Sequence, residues 1–213
     1  MRTKDPVKVV VLGGGYAGTL AALRLAGKTK GQSVEVLLLN GDDHFVERIR
    51  HHQLASGQKR PTLPYSQVLA GSNVRFRQGW CTAIHVPTKE LVLQTPTGSE
   101  TIAYDYLVYT LGSTINKDAM AGIVTDAATR VYTLGDEATV QRLAKELPSL
   151  AASHGRLLIV GGGLTGIEAA TEFAERYPQL QVTLATNGKL GESSLPPEVR
   201  ISSEFLRDWG LPW

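Results

Sequence analysis

Short apolar runs rich in β-branched residues, each closed by a glycine cluster and followed by helical periodicity, occur twice along this chain. The run Val7-Lys8-Val9-Val10-Val11-Leu12 leads into Gly13-Gly14-Gly15-Tyr16-Ala17-Gly18, after which Leu20 and Leu23 recur at helical spacing. The run Arg156-Leu157-Leu158-Ile159-Val160 leads into Gly161-Gly162-Gly163-Leu164-Thr165-Gly166, after which Ile167, Ala170 and Ala174 do the same. A second apolar run follows each helix, Val34 to Leu39 in one copy and Gln181 to Ala185 in the other. Each copy therefore reads β, glycine loop, α, β, with runs suited to strands buried on both faces of a parallel sheet.

Between the copies the pattern changes to short strands. Val74 to Gln78, Trp80 to Val86, Lys89 to Gln94 and Thr101 to Tyr104 are separated by turn-rich pieces such as Pro87-Thr88 and Thr95-Pro96-Thr97-Gly98-Ser99. They predict a small antiparallel β-meander over about 72–104, inserted in the first unit. Tyr106 to Leu111 is a further buried-strand run, ending at Gly112. From Asp136, Val140, Leu143, Ala144 and Leu147 mark an amphipathic helix with Asp136 as its N-cap and a stop near Pro148. The predicted fold is α/β, with two Rossmann-like dinucleotide-binding units in tandem. The first covers 1–135, a connector helix 136–154, and an incomplete second unit 155–213, with a last helix over Leu195 to Trp209.

The loop chemistry follows from glycine geometry. Gly13 and Gly161 permit the sharp turn off the strand. Gly15 and Gly163 let the backbone approach a pyrophosphate, and Gly18 and Gly166 let the helix pack closely on the strand. The free N–H groups and positive dipole end of each helix then face the phosphates. One such match is weak; two, each between a strand and a helix, are specific.

Charge and cysteine content narrow the classes. Among 213 residues, 22 Lys and Arg against 20 Asp and Glu leave a net charge of +2. That balance offers no basic stripe for nucleic acid and no polybasic membrane anchor. Cys81 is the only cysteine, which rules out an internal disulfide and suits a reducing cytoplasm. The apolar run after Arg2 and Lys4 is cut by glycines too early for a signal peptide, and no stretch reaches the roughly 18 apolar residues of a membrane span. No Gly-x-Ser-x-Gly elbow supports a serine hydrolase.

The order of glycine loop, meander, Thr110-Leu111-Gly112, connector helix and Gly161-Gly162-Gly163-Leu164-Thr165-Gly166-Ile167-Glu168 resembles the pyridine nucleotide-dependent flavoprotein oxidoreductases. It looks most like type II NADH dehydrogenases and the apoptosis-inducing-factor-like oxidoreductases, over what corresponds to their N-terminal half. The resemblance implies FAD on the first loop, through Gly13, Gly15, Ala17 and Gly18, with Cys81 or Ala83 near the adenine and Thr110 and Gly112 as a second FAD fingerprint. It implies NAD(P)H on Gly161, Gly163 and Gly166, with Glu168 helping to place the nicotinamide. Hydride would pass from NAD(P)H to the flavin and on to a small-molecule acceptor such as a quinone or electron carrier. The cofactors carry that chemistry, so no catalytic side chain is assigned.

Several positions depart from the pattern. Asn40 stands where an acidic residue would hold the FAD ribose, beside Asp42 and Asp43. Thr186, followed by Lys189, stands at the matching place of the second unit and leaves NAD or NADP open. The absence of a cysteine pair removes disulfide-reductase chemistry, leaving Cys81 as a small hydrophobe. Gly135-Asp136 has the letters of a flavin-contacting pair, but its position favours the helix cap. Arg48, within Asp43-His44-Phe45-Val46-Glu47-Arg48-Ile49-Arg50-His51-His52, is a candidate flavin or phosphate contact. Asp43, His44, His51 and His52 match no metal-ligand spacing. Relatives continue beyond Trp213, so the alternative reading is a truncated relative that binds nucleotide weakly and is not catalytic by itself. Its incomplete second unit invites a homodimer or another covering partner.

Overall fold

The computed structural model describes residues 5–115 and 130–186. In chain order the elements are β1 (Val7–Leu12), α1 (Tyr16–Lys28), β2 (Val34–Asn40), β3 (His44–Phe45), a 3₁₀ turn (Arg48–Arg50) and α2 (His51–Ala55). Next come β4 (Leu63–Pro64), α3 (Tyr65–Val68), β5 (Val74–Gln78), β6 (Trp80–His85), β7 (Glu90–Thr95), β8 (Gly98–Ala103) and β9 (Tyr106–Tyr109). The described chain closes with α4 (Glu137–Ala152), β10 (Arg156–Val160), α5 (Leu164–Arg176) and β11 (Gln181–Ala185). The predicted helix over Leu195 to Trp209 lies outside the described residues.

The chain divides into two compact units. The first joins Met1–Val46 to Pro61–Ser113, and the second takes Glu47–Arg60 together with the residues from Thr114 onward. In the first, a parallel sheet runs in the order β5-β2-β1-β9. Val9 of β1 lies opposite both Val36 of β2 and Tyr106 of β9. Alternate side chains leave β1 on opposite faces. Val11 joins Val36 and Leu38 against Ala22 and Ala26 of α1, whereas Val10, Leu12 and Leu39 join Leu91, Leu93 and Tyr104 on the other side. Burial on both faces explains why the β1 and β2 sequences are almost continuously apolar.

The insertion is an antiparallel three-stranded sheet, β6-β7-β8, with an irregularity in β6 between Cys81 and Ala83. Val74–Gln78, expected as its first strand, is instead β5, paired parallel to β2. Its alternating exposure mimics a meander strand: Val74 and Phe76 pack inward while Arg75 and Arg77 point out, to Glu35 and Glu100. An edge strand of a parallel sheet has the same one-sided pattern, and only its pairing partner tells them apart.

In the second unit, β10 and β11 pair in parallel, Arg156 opposite Gln181 through Val160 opposite Ala185. Val140, Leu143, Leu147 and Ala151 of α4 are buried with Ile167, Ala170 and Phe173 of α5 and with Ala55 of α2. Helix α4 does not stop near Pro148 but continues to Ala152. A proline inside a helix forfeits a hydrogen bond at a cost of about 3 kcal/mol; burial of Leu147 and Ala151 on either side of it opposes that cost. Strand β10 is not buried on both faces as its composition suggests, since Leu158 and Val160 are more than half exposed.

The N-cap reading of Asp136 holds, because its carboxylate accepts the backbone N–H of Thr139 at 2.8 Å. Asp136→Ala is expected to lower stability by about 1 kcal/mol, measured by urea denaturation, while Asp136→Asn retains most of it.

Candidate functional site

The first glycine loop leaves β1 through Gly13, whose φ of +106° belongs to the left-handed region that favours glycine. Its N–H donates to Leu39 O at 2.8 Å, so the turn is pinned to the neighbouring strand. Gly161 repeats both features in the second loop, with φ +121° and an N–H bond of 2.8 Å to Ala185 O. A Cβ on Gly18 would lie 1.8 Å from Gly13 O, and one on Gly166 1.9 Å from Gly161 O. The last glycine of each motif therefore lets helix and loop backbones touch.

Gly15 has a different surrounding. A Cβ there would meet nothing within 4 Å, and Gly15, Tyr16 and Ala17 are all exposed. Gly15 is the N-cap of α1 and provides no side-chain cap; Gly163 caps α5 in the same way. The first intrahelical bonds start only at Thr19 N to Gly15 O and at Ile167 N to Gly163 O. Neither helix start carries a side-chain cap, and the positive end of a helix dipole favours an anion. By contrast α4, which begins with Asp136, supplies its own cap.

Thr110 locks the first loop from β9. Its N–H donates to Leu12 O at 2.8 Å, and its hydroxyl shares one proton between Leu12 O and Gly13 O, both at 2.9 Å. Gly112, two residues on, has φ +72°. Thr110 thus shapes the turn that presents Gly15 rather than pointing into it.

The two strand-end residues do something the sequence did not reveal. Asn40 Oδ1 accepts the N–H of Gly14 at 2.9 Å, and its Nδ2 donates to Asp42 O at 3.1 Å. Thr186 packs on the equivalent Gly162, where an added Cβ would fall 2.7 Å from Thr186 Oγ1. Each buttresses the middle glycine of its own loop. Tyr65 completes the first buttress: its buried hydroxyl donates to Gly14 O at 2.5 Å, Thr19 Oγ1 donates to the same oxygen at 2.8 Å, and the ring stacks on Phe76 at 4.5 Å. Sequence reasoning missed Gly14, Gly162, Thr19 and Tyr65, although the unbroken glycine triplets were a visible signal.

The remaining candidates separate by unit. Cys81 and Ala83 lie on β6 of the first unit, where the Cys81 thiol, pushed up by partial burial, donates to Ala83 O at 3.4 Å. Cys81 packs against the cluster containing Leu91 and Leu93, as a small hydrophobe does. Arg48 lies in the second unit. Glu168, near the start of α5, faces His52 of α2 with Nδ1 and Oε2 3.7 Å apart. The histidines go separate ways: His44 Nδ1 pairs with Asp43 at 2.8 Å, and buried His51 bonds Leu134 O at 2.8 Å. Among the described residues no group of three or more side chains suits a metal ion, and no helix is long and apolar enough to cross a membrane. Lys189 lies outside the described residues.

The family model for pyridine nucleotide-disulphide oxidoreductases matches residues 7–202. The chain belongs to that family. Its relatives include a demethylphylloquinone reductase of Synechocystis, 30% identical over 79% of this chain and 43% of the relative. Another is ferroptosis suppressor protein 1 of Taeniopygia guttata, 31% identical over 96% of this chain and 51% of the relative. The fold is also that of NDH2 from Plasmodium falciparum in complex with NADH, with a TM-score of 0.78 at 19% identity, covering 96% of this chain and 47% of the other. The chain spans about half the length of the curated relatives it matches. The chain has the α/β, Rossmann-like fold with a small antiparallel insertion.

The glycines differ in how closely they are packed. Gly18→Ala is expected to cost about 1–3 kcal/mol through the clash with Gly13 O, whereas Gly15→Ala stays within about 1 kcal/mol of the parent; urea denaturation compares them. Burial holds the Tyr65 hydroxyl pKa up to about 12, against 10.0 unperturbed. An unfolded tyrosine ionises above pH 10 while the folded one keeps its proton, so Tyr65 makes stability fall as pH rises from about 10 to about 12. Tyr65→Phe should reduce that slope and lower neutral-pH stability by about 1 kcal/mol; equal slopes in parent and variant would contradict the assignment.

Proposed function

We propose that this chain carries both nucleotide sites of a FAD-dependent NAD(P)H oxidoreductase, arranged as two Rossmann-like units in tandem, with a small-molecule acceptor such as a quinone. The observation that carries the reading is the repetition, feature by feature, of a glycine turn and an uncapped helix start at Gly13–Gly18 and Gly161–Gly166. Two relatives support the acceptor class, being named a demethylphylloquinone reductase and a type II NADH:quinone oxidoreductase of Staphylococcus aureus.

In this reading the open backbone at Gly15 and the positive end of α1 hold the FAD pyrophosphate, with Gly13, Ala17, Gly18, Thr110 and Gly112 keeping the loop in shape. Cys81 and Ala83 line the approach to the adenine. Gly161, Gly163 and Gly166 do for the nicotinamide nucleotide what the first loop does for FAD. Glu168 helps orient the nicotinamide end, and Thr186 holds the second loop from behind. Arg48 is a further contact for the flavin or a phosphate. When bound, the cofactors supply hydride transfer from nicotinamide to flavin; the protein's part is to bind, align and exclude water.

A second reading has its own observation. Asn40 is an uncharged amide where a carboxylate usually holds the ribose, and its amide is engaged by Gly14 N–H and Asp42 O. That favours a relative with weak nucleotide affinity and no turnover by itself.

The test is the visible spectrum of the purified chain after addition of FAD and removal of excess, before and after anaerobic NADH or NADPH. Flavin bands that bleach with a nucleotide are expected, as is their loss in Gly15→Ala. Gly163→Ala should keep the bands but slow bleaching about 10-fold or more. A folded parent that retains no flavin would reject the enzyme reading for this chain and leave the second.

A further inference from the structure

Trp80 opens β6 and keeps 67% of its surface exposed, an unusual setting for the largest side chain in a small domain. Its ring is not adrift. A Cβ on Gly41 would fall 2.5 to 2.8 Å from three of its indole carbons, so the ring lies against the Gly41 main chain. Gly41 has no left-handed φ, and what demands glycine there is room for the ring. The strand ends under it are tied together: Gly79 N donates to Asn40 O at 2.8 Å, and Gln78 Nε2 donates to Gly41 O at 3.1 Å. One side of the indole is therefore seated on a fixed backbone while much of the rest faces solvent.

The seat is at the carboxyl end of β2, one residue beyond Asn40, which itself reaches Gly14 of the first loop. In a parallel α/β sheet, ligands lie beyond the carboxyl ends of the strands, and the end of the second strand is where the ribose next to the base is held. We infer that Trp80 is a stacking platform for the adenine of the nucleotide bound by the first glycine loop, a role that rests on the reading of that loop as an FAD site. Stacking needs only a flat face and no hydrogen-bond code, so it suits a site whose strand-end amide is already engaged. Trp80 grips the base where Asn40 cannot grip the sugar with charge.

The experiment titrates the full chain with FAD and with ADP, by calorimetry and by tryptophan emission, for the parent, Trp80→Phe and Trp80→Leu. Thermal melts of the free proteins confirm folding. The chain's other tryptophans are Trp209 and Trp213. Expected are quenching of the parent's emission by ADP, loss of that quenching in Trp80→Phe with ADP still bound, and affinities for FAD and ADP about 10-fold weaker in Trp80→Leu. Should Trp80→Leu not fold, the quenching lost or kept in Trp80→Phe decides alone. Quenching that persists in Trp80→Phe, or parental affinity in folded Trp80→Leu, overturns the platform and leaves the FAD reading standing. A parent that binds neither FAD nor ADP overturns both.

Discussion

Everything in the two glycine loops depends on one close approach, that of the last motif glycine to the carbonyl of the first. With less than 2 Å between a hypothetical Cβ and that oxygen, at Gly18 and again at Gly166, no side chain fits without displacing backbone. The approach fixes where the helix begins relative to the strand. It also sets how far from the sheet the first turn of the helix begins. The left-handed turn at Gly13 and the pinning of its N–H to Leu39 follow from the same need to change direction within three residues.

Around that contact the first loop is braced from three directions. Thr110 holds the strand side, Asn40 the N–H of Gly14, and Tyr65 with Thr19 the carbonyl of Gly14. Both polar groups of one peptide residue are thereby satisfied inside the protein, while the next residue, Gly15, has open space where a side chain would stand. The division is physically sensible. A loop whose backbone is tied down on both sides is rigid, and a rigid loop loses less entropy in any binding event. In the second unit Thr186 occupies the place of Asn40 against Gly162, so the bracing, like the loop, is repeated with different chemistry.

What was legible in the sequence followed from short-range rules. The strand–loop–helix–strand order depends on glycine conformation and on apolar periodicity, both local, and the Asp136 cap depends on a contact three residues away. What was not legible depended on partners distant in sequence. Tyr65 acts on a residue 51 positions earlier, and nothing around it marks it out. The Val74–Gln78 alternation is the same for a meander strand and for the edge of a parallel sheet. Helix α4 passes Pro148 because burial of Leu147 and Ala151, a tertiary matter, opposes a local penalty.

The segment Glu47–Arg60 shows how far chain order and spatial membership can part. It is embedded in the sequence of the first unit, between β3 and β4, yet its side chains answer to the second. Ala55 is fully buried among α4 and α5 residues. Ser56 Oγ donates to Glu172 at 2.7 Å, and Ser56 O accepts the Tyr177 hydroxyl at 3.0 Å. Along α2 with its C-cap Ser56, and along α5, the pairs His52 with Glu168 and Ser56 with Glu172 each advance by four residues, so the two segments run in the same direction for a turn. A second unit made only of residues after Ser113 would lack Ala55 from its core and leave Glu172 without the Ser56 and Gln58 donors. The duplicated β–loop–α–β unit is therefore not a pair of independent modules: the later copy is completed by a loop borrowed from the earlier one, and that borrowing is a reason to expect the two to fold as one protein.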